Sequence, residues 1–247
     1  MRAVRAFFMC LGMFSAIPCP YRPWDEEARG LMTACLPLVG AVVGALWYAL
    51  SVLGRMWLSE ALSAAWIAAL PLLLTGFMHL DGLMDTADAL LSWRPLEERQ
   101  KILKDVHCGS FSVVTAILLV LGMFAAASDC RGADLRALVL IPVASRCMSA
   151  FCVTALKPIG HSEYATLRRN MGTPVAALVM LALTLLAGGL WLGGAGLVVL
   201  IATVAGYGLA MAWAVHVLKG VSGDLAGCAL CVGEFCGLVA LAILCGG

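Results

Sequence analysis

The chain is a succession of long apolar runs with almost no charge inside them, and this constrains its fold more than any other feature. Seven stretches, approximately 31–53, 61–78, 111–128, 135–156, 174–192, 195–218 and 225–245, have the length of a membrane-crossing helix, roughly 17–25 residues. Of the 247 residues, 62% are hydrophobic, 26 more are glycine, and only 13% are charged. Soluble domains are about 45–50% apolar with glycine included, and about 25% charged, so no water-soluble sphere of this size could hide this composition. The expected fold is all-α: a polytopic membrane helical bundle of about seven transmembrane helices, forming a single integral membrane domain over 1–247 with the lipid bilayer as its surroundings. A net charge of +1 gives no reason to expect a nucleic-acid partner.

Lysine and arginine set the orientation. With the N-terminus in the cytoplasm, segments 1–30, 79–110, 157–173 and 219–224 face inward and carry 12 cations, against three (Arg55, Arg131, Arg136) on the opposite side and Arg146 within a span. Residues 1–30 read as a cytoplasmic or interfacial segment. Phe7 to Ile17 is too short to span, and no A-x-A site follows it. Pro18 and Pro20 interrupt the chain there, so this run is expected as an uncleaved interfacial or re-entrant piece. Gly193-Gly194 is expected to turn the fifth span into the sixth. The 11 cysteines lie mostly in apolar runs as small hydrophobes. Cys228-Ala-Leu-Cys231 has no second pair to make it a metal site.

The cytoplasmic stretch 79–110 is expected as an Asp-rich catalytic loop. It opens with His79-Leu-Asp81-Gly-Leu-Met-Asp85-Thr-Ala-Asp88. In a helix, Asp81, Asp85 and Asp88 fall within about 60° of arc. Three carboxylates on one face repel one another, and no Lys or Arg lies within the stretch to neutralise them. Hard oxygen ligands without thiolates point to Mg²⁺ or Mn²⁺, and Mg²⁺ completes its shell with water and substrate phosphate. A solvated helix end is the plainer alternative. Further on, Lys104-Asp105 precedes the small-residue turn Gly109-Ser110, where backbone N–H groups could take phosphate oxygens and Asp105 could add a fourth carboxylate.

Two charges sit inside spans: Arg146, and Glu234, about 15 Å beyond Asp224 along a helix. Each costs roughly 2.5–3.5 kcal/mol at the bilayer centre, so both must face the bundle interior. Either they form a structural pair, or Arg146 binds a substrate phosphate with Glu234 facing the same cavity. Asp224, at the cytoplasmic mouth of the last span, is placed for substrate or metal. In 157–173, Arg168 and Arg169 are either a topology signal or a phosphate clamp, and His161 is a candidate substrate contact.

The ordered set of motifs resembles the cobalamin synthase family, the adenosylcobinamide-GDP ribazoletransferases. It comprises Phe14-Ser-Ala-Ile17-Pro18-Cys-Pro20, Pro37-Leu-Val-Gly40 with Gly44, His79 through Asp88, Ile102-Leu-Lys104-Asp105, Gly109-Ser-Phe111, Arg146, Gly223-Asp224-Leu-Ala-Gly227 and Glu234. The sequence departs from the family pattern at Phe77, Ala89, Ser112 and Lys157-Pro158. The resemblance implies a Mg²⁺-dependent transferase of the bacterial or archaeal inner membrane, with its active site on the cytoplasmic side. Its small-molecule substrates would be adenosylcobinamide-GDP and α-ribazole or its 5′-phosphate, joined with release of GMP. Asp81, Asp85, Asp88 and Asp105 would hold the metal, one of them or His79 would take the hydroxyl proton, and Lys104, Arg146 and Arg168 or Arg169 would contact phosphate. A CDP-alcohol phosphotransferase would also use spaced aspartates, but its D-G-x-x-A-R pattern is absent. A polyprenyl transferase would show two separated Asp clusters, and an ion-coupled transporter two matching broken helices. The sequence leaves a homo-oligomer open.

Overall fold

The computed structural model describes residues 2–19, 21, 24–159 and 172–246. Among these the secondary structure is helical, with one isolated bridge between Pro158 and Val221. The helices are α1 (Arg2–Phe14), α2 (Glu26–Met32), α3 (Leu36–Trp57), α4 (Glu60–Leu74), α5 (Met78–Leu91), α6 (Leu96–Ile102), α7 (Ser110–Asp129), α8 (Ala137–Ala155), α9 (Gly172–Leu218) and α10 (Gly223–Gly246), with a 3-10 turn at Thr33–Cys35. His161, Arg168 and Arg169 lie outside the described residues.

Local chemistry explains where several helices begin. The Asp25 side chain accepts from the Glu27 N–H at the start of α2, and Glu26 and Glu27 in its first turn suit the helix dipole. Arg5 of α1 donates to Asp25 at 3.0 Å, and Arg2 pairs with Glu27, so the short N-terminal helix is tied to α2. Pro37 sits in the first turn of α3, where a missing N–H costs least.

Fourteen of the 19 residues of α8 are buried, which makes α8 the centre of the bundle, against α3, α9 and α10. α7 instead turns Val114, Ile117, Leu118 and Leu121 outward, as a lipid-facing helix does. Indoles on two neighbouring helices find partners: the buried Trp47 Nε1 donates to the Ile67 carbonyl at 2.9 Å, and the partly buried Trp66 Nε1 to that of Leu50 at 3.0 Å. These bonds pin α3 to α4 where an orphaned donor would be costly.

Five helices are long and apolar enough to cross a membrane, or six if the bent pair α4–α5 counts as one span. That is short of the expected seven, on a count that takes α9 as a single helix. Within α9, Gly193 leaves the helical region with φ 68° and ψ −159°. A Cβ on Gly196 would stand 2.9 Å from the Gly188 carbonyl oxygen, whereas eight residues of straight helix separate two points by about 12 Å. The chain therefore folds back at Gly193, where the sequence placed a turn.

The second expected span, 61–78, stops early. α4 ends at Leu74 and α5 leaves at 87° to it. Thr75 Oγ1 donates back to the Pro71 carbonyl at 2.8 Å, and Gly76 and Phe77 both take φ near 61°. Glycine adopts that conformation freely; phenylalanine does so against strain of about 1–2 kcal/mol. The Ala16 N–H donates to the Leu74 carbonyl at 2.9 Å, so the N-terminal segment closes the end of α4 at this corner. Phe77 is half exposed and contributes little packing in return. Phe77→Gly is therefore expected to raise the thermal unfolding temperature of the detergent-solubilised protein, and Phe77→Val, branched at Cβ, to lower it. A valine variant as stable as the glycine variant would show that the corner is not strained.

Candidate active site

The corner directs the carboxylates. Because α5 turns away from α4, it lies along α10 and α7, and the stretch expected as a loop presents its first three aspartates from a helix. Two glycines let α5 and α10 touch. A Cβ on Gly82 would lie 2.8 Å from the Asp224 carbonyl oxygen and 3.0 Å from its Cα, and one on Gly227 would lie 3.3 Å from the His79 backbone. That approach brings Asp224 to the Asp row: the charges of Asp81, Asp224 and Asp88 all bear on Asp85, and that of Asp81 on Asp224. Asp81 is exposed, while Asp85, Asp88 and Asp224 are partly buried. None of the four has a cationic side chain as partner among the described residues.

Asp88 is committed elsewhere. Its carboxylate accepts from the Gly109 N–H at 2.7 Å and the Ser112 N–H at 3.0 Å, capping the first turn of α7. A Cβ on Gly109 would stand 2.5 Å from Asp88 Oδ1, so the cap needs glycine there. The Gly109 N–H, one of the backbone donors expected to receive phosphate at this turn, is thus occupied by a protein carboxylate. Lys104 is exposed. Asp105 is exposed too, and it faces His107, whose ring nitrogen stands 2.7 Å from Oδ1. That bond holds the Asp105 carboxyl below the usual carboxylate range, and no other aspartate acts on it. Asp105 does not join the row, and Asp224 does.

Behind the row, the core carries an ion pair. Arg146 Nη1 donates to Glu234 Oε1 at 2.7 Å with both side chains buried, and Ser145 Oγ donates to the same oxygen at 3.1 Å. Nη1 also reaches the Pro142 carbonyl at 3.2 Å. A cavity of about 160 Å³ is lined by His79, Arg146, Ser149 and Asp224 and roofed by Met13 and Phe14 at the end of α1. The part played by Ser149 and the roof had no sequence signal of its own; Phe14 was visible only as the first residue of a motif.

The donor set suits a hard divalent cation: carboxylate oxygens, with no thiolate and no neutralising side chain among the described residues. As placed, no three His, Cys, Asp or Glu side chains among the described residues close on one point tightly enough to hold an ion. Mg²⁺ does not need such a cage, since it uses one or two carboxylates and fills its shell with water and phosphate.

The two kinds of aspartate differ in what their removal does. Asp88→Ala strands two N–H groups and is expected to destabilise the protein by about 1–3 kcal/mol. Asp85→Asn relieves like-charge repulsion and is expected to raise the unfolding temperature in metal-free buffer. Thermal unfolding of both variants checks the division of labour; an Asp85→Asn protein less stable than wild type would contradict it.

The family description for cobalamin-5-phosphate synthase matches residues 6–242 of the chain. An adenosylcobinamide-GDP ribazoletransferase of Clostridium perfringens (strain 13 / Type A) is 36% identical over 248 residues, covering 97% of this chain and 98% of that protein. One of Clostridium botulinum (strain Alaska E43 / Type E3) is 34% identical, covering 95% of each chain. One of Brevibacillus brevis is 29% identical over 77% of this chain and 78% of its own. No solved structure matches.

Proposed function

The chain belongs to the cobalamin-5-phosphate synthase family, and on that membership together with the carboxylate row we propose the reaction it carries out and the residues that perform it. It is a membrane transferase of late cobalamin biosynthesis, joining α-ribazole or its 5′-phosphate to adenosylcobinamide-GDP. The ribazole hydroxyl oxygen bonds to the cobinamide-side phosphorus, the phosphoanhydride bond to GMP breaks, and GMP leaves. The convergence of Asp224 on Asp81 and Asp85 across Gly82 is the observation that carries this reading.

Asp81, Asp85 and Asp224 would hold Mg²⁺. When bound, the metal supplies charge neutralisation on the transferring phosphoryl oxygens and the leaving group. The repulsion among the three carboxylates, unrelieved by any described Lys or Arg, is what favours a cation there. The hydroxyl proton passes to a carboxylate of the row. Asp88 fixes α7 against α5 and so holds the row in register. The asymmetry of Lys and Arg supports a cytoplasmic face for the row.

In liposomes with adenosylcobinamide-GDP and α-ribazole or its phosphate, Mg²⁺-dependent formation of the joined corrinoid and of GMP is expected, and a chelator should abolish it. Asp81→Asn, Asp85→Asn and Asp224→Asn should each lower kcat by about 10²-fold or more. Glu97→Gln, on the exposed face of α6, should not. Metal-independent turnover, or full activity in all three row variants, would refute the assignment.

A further inference from the structure

α7 is 20 residues long, about 30 Å of helix, which matches the hydrocarbon thickness of a bilayer. Its first turn is capped by Asp88 beside the carboxylates, so its last turn stands at the opposite membrane interface. Arg55, at the end of α3, reaches this turn by donating to the carbonyls of Cys130 and Ala133. Trp57, two positions further on and 79% exposed, suits the same interfacial level.

Two hollows meet here. Gly122 of α7 packs on the Phe235 ring of α10, 2.9 Å from where a Cβ would stand. From this contact to the helix ends an open groove of about 1010 Å³ lies between α7 and α10, bounded by Ala125 and Asp129 on one side and Val239 and Ile243 on the other. Gly122 to Asp129 is about 10 Å of helix. A hollow of about 220 Å³ containing Arg55 and Glu60 adjoins it, and Ser128 and Arg131 line both.

Charge is separated across this junction. Arg131 pairs with Glu60 at 2.6 Å, but both side chains are mostly exposed, where such a pair is weak and leaves the guanidinium further donors. The carbonyl partners of Arg55 satisfy its N–H groups without neutralising its charge. Two guanidinium groups against one carboxylate leave the smaller hollow positive. Asp129, on the groove side, has no cationic partner among the described residues. A positive and a negative point beside an apolar groove complement an amphiphile whose polar end carries both signs: a phosphodiester for guanidinium, an ammonium for carboxylate, an acyl chain for the groove. An apolar helix from a second copy would fill the groove and leave both charges unanswered.

We propose that this end of the bundle binds one zwitterionic glycerophospholipid, with its phosphodiester at Arg131 and Arg55, its ammonium at Asp129 and one acyl chain along the groove between α7 and α10. The site lies a membrane's thickness from the carboxylates and does not depend on the reaction assigned to them. α10 carries Asp224, and α7 is tied to α5 through Asp88, so a lipid seated between α7 and α10 braces the helices that flank the row.

The test uses the full-length protein in detergent, with palmitoyl-oleoyl phosphatidylethanolamine and phosphatidylglycerol as probes. Native mass spectrometry counts bound lipid, and thermal unfolding reads the stabilisation. The wild type should bind one phosphatidylethanolamine, and phosphatidylglycerol, which lacks the ammonium, about tenfold more weakly. Arg131→Gln, which removes a phosphate contact, and Ala125→Leu, which fills the groove from an exposed position, should each weaken phosphatidylethanolamine binding about tenfold. Asp129→Asn should erase the preference between the two lipids. Arg94→Gln, an exposed cation outside the site, should change nothing. Equal binding of the two lipids by the wild type, or unchanged lipid binding in folded Arg131→Gln and Ala125→Leu proteins, overturns the proposal. So does a dimer that Ala125→Leu dissociates while lipid binding stays intact, which would make the groove a contact between copies.

Discussion

Like charges do not gather on a helical protein unless the backbone forces them to, and here the backbone does so where α5 crosses α10. Gly82 and Gly227 remove the side chains that would hold the helices apart, so the Asp224 backbone rests on α5 between Asp81 and Asp85. The repulsion this creates is a standing cost, relieved by no cationic side chain among the described residues. Everything else near the site serves that arrangement: the 87° corner aims α5 along α10, and Asp88 ties α7 to it through two backbone N–H groups. Negative charge concentrated next to apolar spans is what the proposed cation site rests on.

The buried ion pair answers a different problem. An arginine alone at the centre of α8 would be intolerable in an apolar bundle, and Glu234 on α10 makes it tolerable. Loss of either partner strands the other at a cost of about 3–5 kcal/mol. The pair also crosses from the central helix to the helix that carries Asp224. Asp224 and the partner of the arginine are therefore carried by one helix, α10, and a shift of α10 moves both.

Much of this was legible in the sequence, and the reasons are physical. Apolar runs longer than a bilayer is thick have one solution in lipid, so the helical membrane bundle followed from composition and length. The i, i+4, i+7 spacing placed the three aspartates on one face, and two intramembrane charges of opposite sign were expected to share the interior. Three things were not legible. Phe77 in a left-handed conformation hides the corner, because nothing in a phenylalanine announces it. Asp88 as a cap and Asp105 as a partner of His107 depend on where the turn before α7 lands, so local spacing grouped four carboxylates of which two serve other bonds. Asp224 was legible as a candidate for substrate or metal, but not its place beside Asp81 and Asp85: it lies 136 positions beyond Asp88 in the chain, and only helix packing brings it to the row.

The central claim is that Asp81, Asp85 and Asp224 form one cation site, and direct metal binding tests it without any assumption about the reaction. Mn²⁺ titrated into the detergent-solubilised protein and followed by electron paramagnetic resonance reports bound against free ion. Saturable binding that Mg²⁺ displaces, and that Asp224→Asn weakens as strongly as Asp85→Asn while Asp105→Asn leaves it intact, is the expected result. Binding that survives Asp224→Asn and is lost in Asp105→Asn would contradict the account and move the metal away from the contact between α5 and α10.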